Sequence, residues 1–147
     1  HPLVNSIHKS LKPGGKILLQ MGGKGNAAGI VAAIEQLLAS PSWLAYFHDF
    51  TFPYCFAGPQ EYRILLENAG FKVHRVELIH KAMEQDGREG LKGWIRTTWL
   101  PYLERIPDAK KELFIEEIVD RYLVHYPLNK EGKASVDMVR LEIEASS

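Results

Sequence analysis

LKPGGKILLQMGGKGN, residues 11 to 26, sets a helix end, a forced turn, an apolar strand and a glycine loop in immediate succession. Leu11 and Lys12 close an amphipathic segment, and Pro13-Gly14-Gly15 cannot extend it, because proline lacks the amide hydrogen and glycine favours positive φ. Lys16 to Met21 follows as a strand. Ile17, Leu18 and Leu19 run without alternation, the pattern of a strand covered on both faces. Gly22, Gly23 and Gly25 come next, and Asn26 opens a second apolar-periodic segment. The loop therefore joins the carboxyl end of a strand to the amino end of a helix, the place where open α/β sheets bind ligands.

Outward from this stretch the chain alternates helices and strands. Upstream, Pro2 suits a first helical turn, and Leu3, Ile7 and Leu11 recur as a stripe to be buried. Downstream, Ile30, Ile34, Leu37 and Leu38 form a second stripe that Ser40-Pro41 ends. Between Trp43 and Phe56 lie seven aromatic residues, which either plug a loop onto the core or wall a substrate pocket. Gly58-Pro59 starts a third helix with Tyr62, Leu65, Leu66 and Ala69 inward, closed by Gly70. Phe71 to Ile79 alternates as a strand, but its phase slips near His74-Arg75, so a bulge is expected.

His80 to Gly90 is polar. Leu91, Trp94, Ile95 and Thr98 then fall at helical spacing until Pro101 interrupts them. Asp108 can cap a long helix to about Tyr126, with Leu113 or Phe114, Ile118, Tyr122 and Tyr126 inward. Lys111, Glu112, Glu116, Glu117, Asp120 and Arg121 would face mainly outward, Glu117 and Arg121 as an i, i+4 pair. Pro127 ends that helix, residues 129–132 turn, and Ser135 to Ala145 alternates as a last strand, its phase slipping between Met138 and Val139.

The chain has 147 residues, 46% hydrophobic and 24% charged, enough for one domain with a buried core. Its formal net charge is zero, which removes the electrostatic case for nucleic acid or an anionic membrane as partner. The single cysteine, Cys55, has no internal disulfide partner, and the six histidines are scattered without ligand spacing, so no metal site is expected. A cytoplasmic location fits that usage. The first residues read as a helix start without an initiator methionine, from which a piece of a longer protein is expected.

Two readings of the central loop remain. Gly23-Lys24-Gly25-Asn26-Ala27-Ala28 fits the G-x-G-x-x-G/A dinucleotide fingerprint after a strand and before a helix. The ribose-binding acid should end a second strand about 20 residues on, and although Asp49 falls near that distance, no strand leads to it. The other reading is by resemblance. LKPGGKILLQ resembles the turn into the fifth strand of class I S-adenosylmethionine-dependent methyltransferases, and GGKGN resembles the loop after it in the branch that includes the trans-aconitate methyltransferases. PQEYRILLENAGFKVHRVELI, residues 59 to 79, is similar to the helix and sixth strand of the same proteins. GWIRTTWLPYLERIP, residues 93 to 107, with the closing MVRLEIEA, resembles their segment between the sixth and seventh strands.

The resemblance implies an α/β fold, the carboxyl half of a Rossmann-like methyltransferase domain. It would have a three-stranded mixed sheet in the order fifth, seventh, sixth, helices on its faces, and a helical insertion at about residues 81–127. The family's cofactor loop after the first strand and acid after the second have no counterpart ahead of His1. S-adenosylmethionine would thus be the cofactor of an intact parent acting on a small-molecule acceptor, and this part alone would be inactive. Trp94, Arg96, Thr97 and Thr98 would touch the acceptor, Arg96 by holding a carboxylate. Gln20, Gly22 and Asn26 could floor the same pocket. From the residues alone Trp94 and Thr98 can equally be core and Arg96 a surface charge. The strand Lys16 to Met21, lacking its fourth-strand neighbour, would leave an apolar edge that favours a homodimer. A dinucleotide-binding oxidoreductase piece and a non-catalytic interaction domain stay open beside this reading.

Overall fold

The computed structural model describes residues 2–147. Its sheet is built of β1 (Lys16–Gly22), β2 (Lys72–Gln85) and β3 (Ala134–Ser146) in the order β1-β3-β2. This is the order expected of the fifth, seventh and sixth strands. β1 and β3 run antiparallel in a continuous register from Lys16 opposite Ser146 to Gly22 opposite Arg140. β3 is antiparallel to β2 as well: His74, near the start of β2, meets Ser146 at the end of β3, while Asp86 just after β2 pairs with Lys133 just before β3. A central strand reversed between two others cannot arise from a simple hairpin series, because β1 and β2 then run parallel and need a crossover. Here the crossover carries α2 (Ala28–Leu38), a 3-10 turn (Leu44–Phe47) and α3 (Pro59–Asn68). α1 (Pro2–Ser10) precedes the sheet, and α4 (Gly87–Thr98), α5 (Leu100–Leu103) and α6 (Asp108–His125) lie between β2 and β3.

Backbone contacts gather the chain into two compact units. The first joins the residues up to Asn26 with Cys55–Lys81 and Met138–Ser147. Its core sets Ile17 of β1 and Leu141, Ile143 and Ala145 of β3 against Val4, Tyr62, Leu66 and Phe71. α3 starts as its sequence requires: Pro59 occupies the first turn, and the Glu61 carboxylate reaches back 2.9 Å to accept from the Gly58 amide. Gly70 ends it with φ +94, where a side chain would be strained and would press on the His8 ring.

Several expectations change in this unit. The buried residue of α1 is Val4, not Leu3, which is 58% exposed; Ile7 and Leu11 reach the core as expected, and Val4 takes the place expected of Leu3. β1 alternates after all. Ile17, Leu19 and Met21 face the core, while Leu18 is 73% exposed. The run of three apolar residues is therefore covered on one face only. β2 continues through His80–Gln85, the polar stretch expected to begin the insertion, so the helical part starts at Gly87. The phase slip in β2 is real in effect, since Val73 on one parity and Val76 and Leu78 on the other reach the same core.

The second unit comprises Ala27–Tyr54 and Ala82–Asp137. α2 begins at Ala28 rather than Asn26, and buries Ile30, Ala33, Ile34 and Leu37. α6 buries Phe114, Ile115, Ile118, Val119 and Tyr122, while Leu113 and Tyr126 are exposed. Its supposedly solvated face is an interface: Arg88, Lys92 and Arg96, one turn apart on α4, meet Glu116 with Asp120, then Glu116, then Glu112 on α6. Glu117 does not pair with Arg121; it accepts the Trp43 indole N–H at 2.8 Å.

Candidate functional site

The second unit concentrates its aromatic residues around the carboxyl end of α4. Leu91 and Ile95 anchor that helix in the core, and the turn at Trp99-Leu100-Pro101 stops it, because Pro101 has no amide to continue the ladder. Trp99 is consequently held inside, 3% exposed. Its ring meets Tyr54 edge-on at 5.3 Å, Trp94 at 6.0 Å and Tyr102 at 5.9 Å. The Tyr54 hydroxyl donates to the Thr98 carbonyl at 3.0 Å. Burial pushes the Tyr102 hydroxyl up to about 12, so it stays a neutral phenol at any physiological pH.

One atom in this cluster is unsatisfied. Among the described residues, Trp99 Nε1 is the buried side-chain nitrogen or oxygen without a hydrogen-bond partner. Leaving such a donor unpaired costs about 1–3 kcal/mol, and native structures rarely do so without water or a ligand to accept it.

The two readings of the aromatic loop divide by residue. Trp43 packs edge-on to Phe114 at 5.0 Å and Phe47 stacks on it at 5.7 Å, both buried. These two plug the loop onto the core. Phe50 lies against Tyr102 at 4.8 Å, with the Arg105 guanidinium 5.3 Å above its ring. Tyr54 belongs to the Trp99 cluster instead. The sequence signal that could have singled out Trp99 is its place just before Leu100-Pro101, where a helix must stop and its last large side chain turns in.

Of the four residues expected to touch the acceptor, Trp94 brings its ring to this cluster and Thr98 only its carbonyl. Thr97 and Thr98 are exposed. The Thr97 hydroxyl donates back to the Gly93 and Trp94 carbonyls, both at 3.2 Å, which satisfies it within its own helix. Arg96 is half exposed, and its fork is taken: Nε and Nη2 donate to the two carboxylate oxygens of Glu112 at 2.8 and 2.9 Å. That bidentate bond raises the Arg96 pKa and holds Glu112 below the usual carboxylate range.

Gln20, Gly22 and Asn26 belong to the first unit, and each is engaged by it. Gln20 Nε2 donates to Glu142 at 3.0 Å. A side chain on Gly22 would meet the Phe56 ring at 2.7 Å and the Asn26 amide at 2.9 Å. Asn26 Oδ1 accepts the Val139 amide at 2.8 Å, while Gly23 N–H donates to the Val139 carbonyl at 2.9 Å and Lys24 N–H to that of Ala57 at 3.0 Å. The glycine loop is thus strapped to β3. A Cβ at Gly23 would lie 2.5 Å from Leu78 and 3.1 Å from Leu141, so packing within the chain is itself enough to require glycine there. These bonds tie the loop to its own chain.

No protein-family model matches the chain, and no curated protein matches it. Among solved structures, a protein of Bacillus halodurans C-125 described as a "putative methyltransferase" is 16% identical, with a TM-score of 0.50 over 97% of this chain. The present chain spans about half of that structure's length, 55%. Together with the β1-β3-β2 order, the likeness defines the fold as methyltransferase-like, a partial Rossmann-type sheet flanked by helices. Among the described residues, no helix is long and apolar enough to cross a membrane.

Proposed function

We propose that the chain is the carboxyl-terminal part of a class I S-adenosylmethionine-dependent methyltransferase of the trans-aconitate-like branch, supplying the acceptor side of the reaction. The observation that carries the reading is the reversed central strand in the order β1-β3-β2. The matched structure, to which this chain corresponds over only 55% of its length, supports it. S-adenosylmethionine would be held mainly by the rest of the parent, since within this chain Gln20 Nε2 already donates to Glu142 and Asn26 Oδ1 already accepts the Val139 amide.

On this reading the task of the α4 region is to orient an acceptor and exclude water around it. Trp94 and Trp99 offer apolar walls, and Trp99 Nε1 offers a donor with no competing partner. Arg96 can hold an acceptor carboxylate by exchanging Glu112 for it, one planar anion for another on the same fork. Thr97 and Thr98 are exposed on the same turn; the Thr97 hydroxyl would contribute only when an acceptor displaces its bonds to the Gly93 and Trp94 carbonyls.

The test is methyl transfer by the protein encoded by the complete reading frame, followed with isotopically labelled S-adenosylmethionine across small carboxylates, phenols and amines. Label transfer to a small acceptor is expected; a full-length protein that neither binds the cofactor nor transfers the label overturns the reading. The chain alone is expected to show no saturable heat on titration with S-adenosylmethionine. Stoichiometric micromolar binding would move the cofactor site into these residues.

A further inference from the structure

A cavity of about 510 Å³ lies between α2 and the end of α6, wholly within the second unit. Its size falls in the range of small-molecule sites. The floor is made by Ala28, Gly29 and Ala32, two methyl groups and a bare Cα that keep the groove open along α2. The wall is a stacked pair, Tyr122 and Tyr126, with ring centroids 4.8 Å apart and planes inclined by 19°. The pair leans onto Gly29 so closely that a Cβ there would come within 2.9 Å of both rings.

The charge lining the cavity is one-sided. Arg121, an intermediately exposed residue, contributes a guanidinium, His125 adds an imidazole and Gln36 an amide, with no carboxylate among the lining residues. Arg121 forms no ion pair among the described residues, and the carboxylates nearest it along α6 are committed elsewhere: Glu117 to the Trp43 indole and Asp120 to Arg88. A guanidinium without an ion pair beside flat aromatic walls is matched by a planar anion. Such a group gains a charge-assisted fork from the arginine, while its apolar body covers tyrosine and alanine surface.

We infer that this cavity binds a small planar anion, an aromatic carboxylate or phosphate, with its charged head on Arg121 and its flat body between Ala32 and the Tyr122–Tyr126 pair. Burial holds the Tyr122 hydroxyl up near 12, and it already donates to the Ser135 carbonyl at 2.5 Å, so it supplies shape and leaves the charge recognition to Arg121.

The experiment titrates the chain with benzoate, phenyl phosphate and the neutral benzyl alcohol, followed by amide chemical shifts. No cofactor is needed, so the outcome is independent of the methyl-transfer reading. Saturable shifts centred on the Gly29 and Ala32 amides are expected for one or both anions, with benzyl alcohol at least about tenfold weaker. Arg121→Ala should weaken the anion by about tenfold or more, and Arg121→Lys should recover part of the loss. Ala32→Phe, at an exposed position that tolerates size, should fill the groove and abolish binding without lowering the melting temperature. Three results would each overturn the assignment: no saturation by either anion up to about 10 mM, benzyl alcohol binding as tightly as benzoate, or Arg121→Ala binding unchanged. The first two are read on the unmodified chain, and do not depend on any variant folding.

Discussion

Asn26 illustrates how far a single residue can be read. Its place after three glycines identifies a loop at the head of a helix, but the partner of its amide oxygen lies 113 positions away, the Val139 N–H it accepts at 2.8 Å. No local pattern carries that pairing. The structural role makes a sharp expectation: Asn26→Ala leaves the buried Val139 amide without an acceptor and should cost about 1–3 kcal/mol in chemical denaturation. Gly23→Ala should cost a similar amount, about 1–3 kcal/mol, by driving a methyl into Leu78 and Leu141. A neutral result at both positions would return the loop to a ligand-binding role. Arg96 was legible as a carboxylate-binding type of side chain, and its present carboxylate, Glu112, was not, because the two meet only when α4 and α6 pack. On the proposed methyl-transfer reading, Arg96→Ala in the full-length protein is expected to raise the acceptor KM with cofactor affinity unchanged, and Glu112→Gln, which loosens the hold on the fork, to lower it; an unmoved KM in both would make the pair purely structural.

At the scale of elements, periodicity located every long helix and all three strands, and erred where burial depends on what lies across a face. The Ile17-Leu18-Leu19 run has the composition of a doubly covered strand, yet β3 beside it turns Glu142, Glu144 and Arg140 to the side on which Leu18 and Gln20 stand. That face is a charged lattice. Arg75 bonds Glu142 at 2.8 Å and Glu77 at 2.6 Å, and Arg140 bonds Glu142 at 2.6 Å. Hydrogen bonding from Arg75, assisted by Arg140, lowers the Glu142 pKa. A carboxylate with a lowered native pKa stabilises the fold at pH values above its unfolded value of about 4.3 and loses that contribution as pH falls through the native one. The melting temperature should therefore drop from about pH 5 downward, and Glu142→Gln should flatten part of that slope when the two are melted side by side. In the α4–α6 zipper, hydrogen bonds from Lys92 and Arg88 depress the Glu116 pKa in the same way. Its residues recur every fourth position on both helices, so each helix alone looks like an ordinary solvated face. Glu116→Gln, which removes the carboxylate shared by two cations, is expected to lower the melting temperature by a few degrees, more than Glu117→Gln or Asp120→Asn; equal effects would show the zipper to be exposed charge with no coupling.

At the scale of the molecule, the strand order was readable because it came from a resemblance across widely separated segments, while the long β2 was not, since His80 to Gln85 carries no apolar alternation and is ordered by pairing. One consequence of the topology concerns association. β1 stands at the end of the sheet with β3 on one side, so its outer row of N–H and C=O groups has no strand partner among the described residues. Native edges are usually blunted by charge, proline or a bulge, and β1 has Lys16 at its start and nothing charged after it. Leu18 adds an exposed apolar side chain beside that edge. A second copy can pair β1 with β1 about a two-fold axis, which satisfies both edges and closes the assembly. We propose such a homodimer of this chain. The apolar contribution is smaller than an uninterrupted Ile-Leu-Leu face would give, because Ile17 and Leu19 already face the core; backbone pairing must supply most of the affinity, and a weak, concentration-dependent dimer is expected. Light scattering across a dilution series should show mass falling from dimer to monomer. Leu18→Lys should shift that transition to higher concentration, since two-fold pairing brings the introduced charges from the two copies near one another. A monomer at high micromolar concentration without the substitution would mean that this edge is not an interface between copies of the chain.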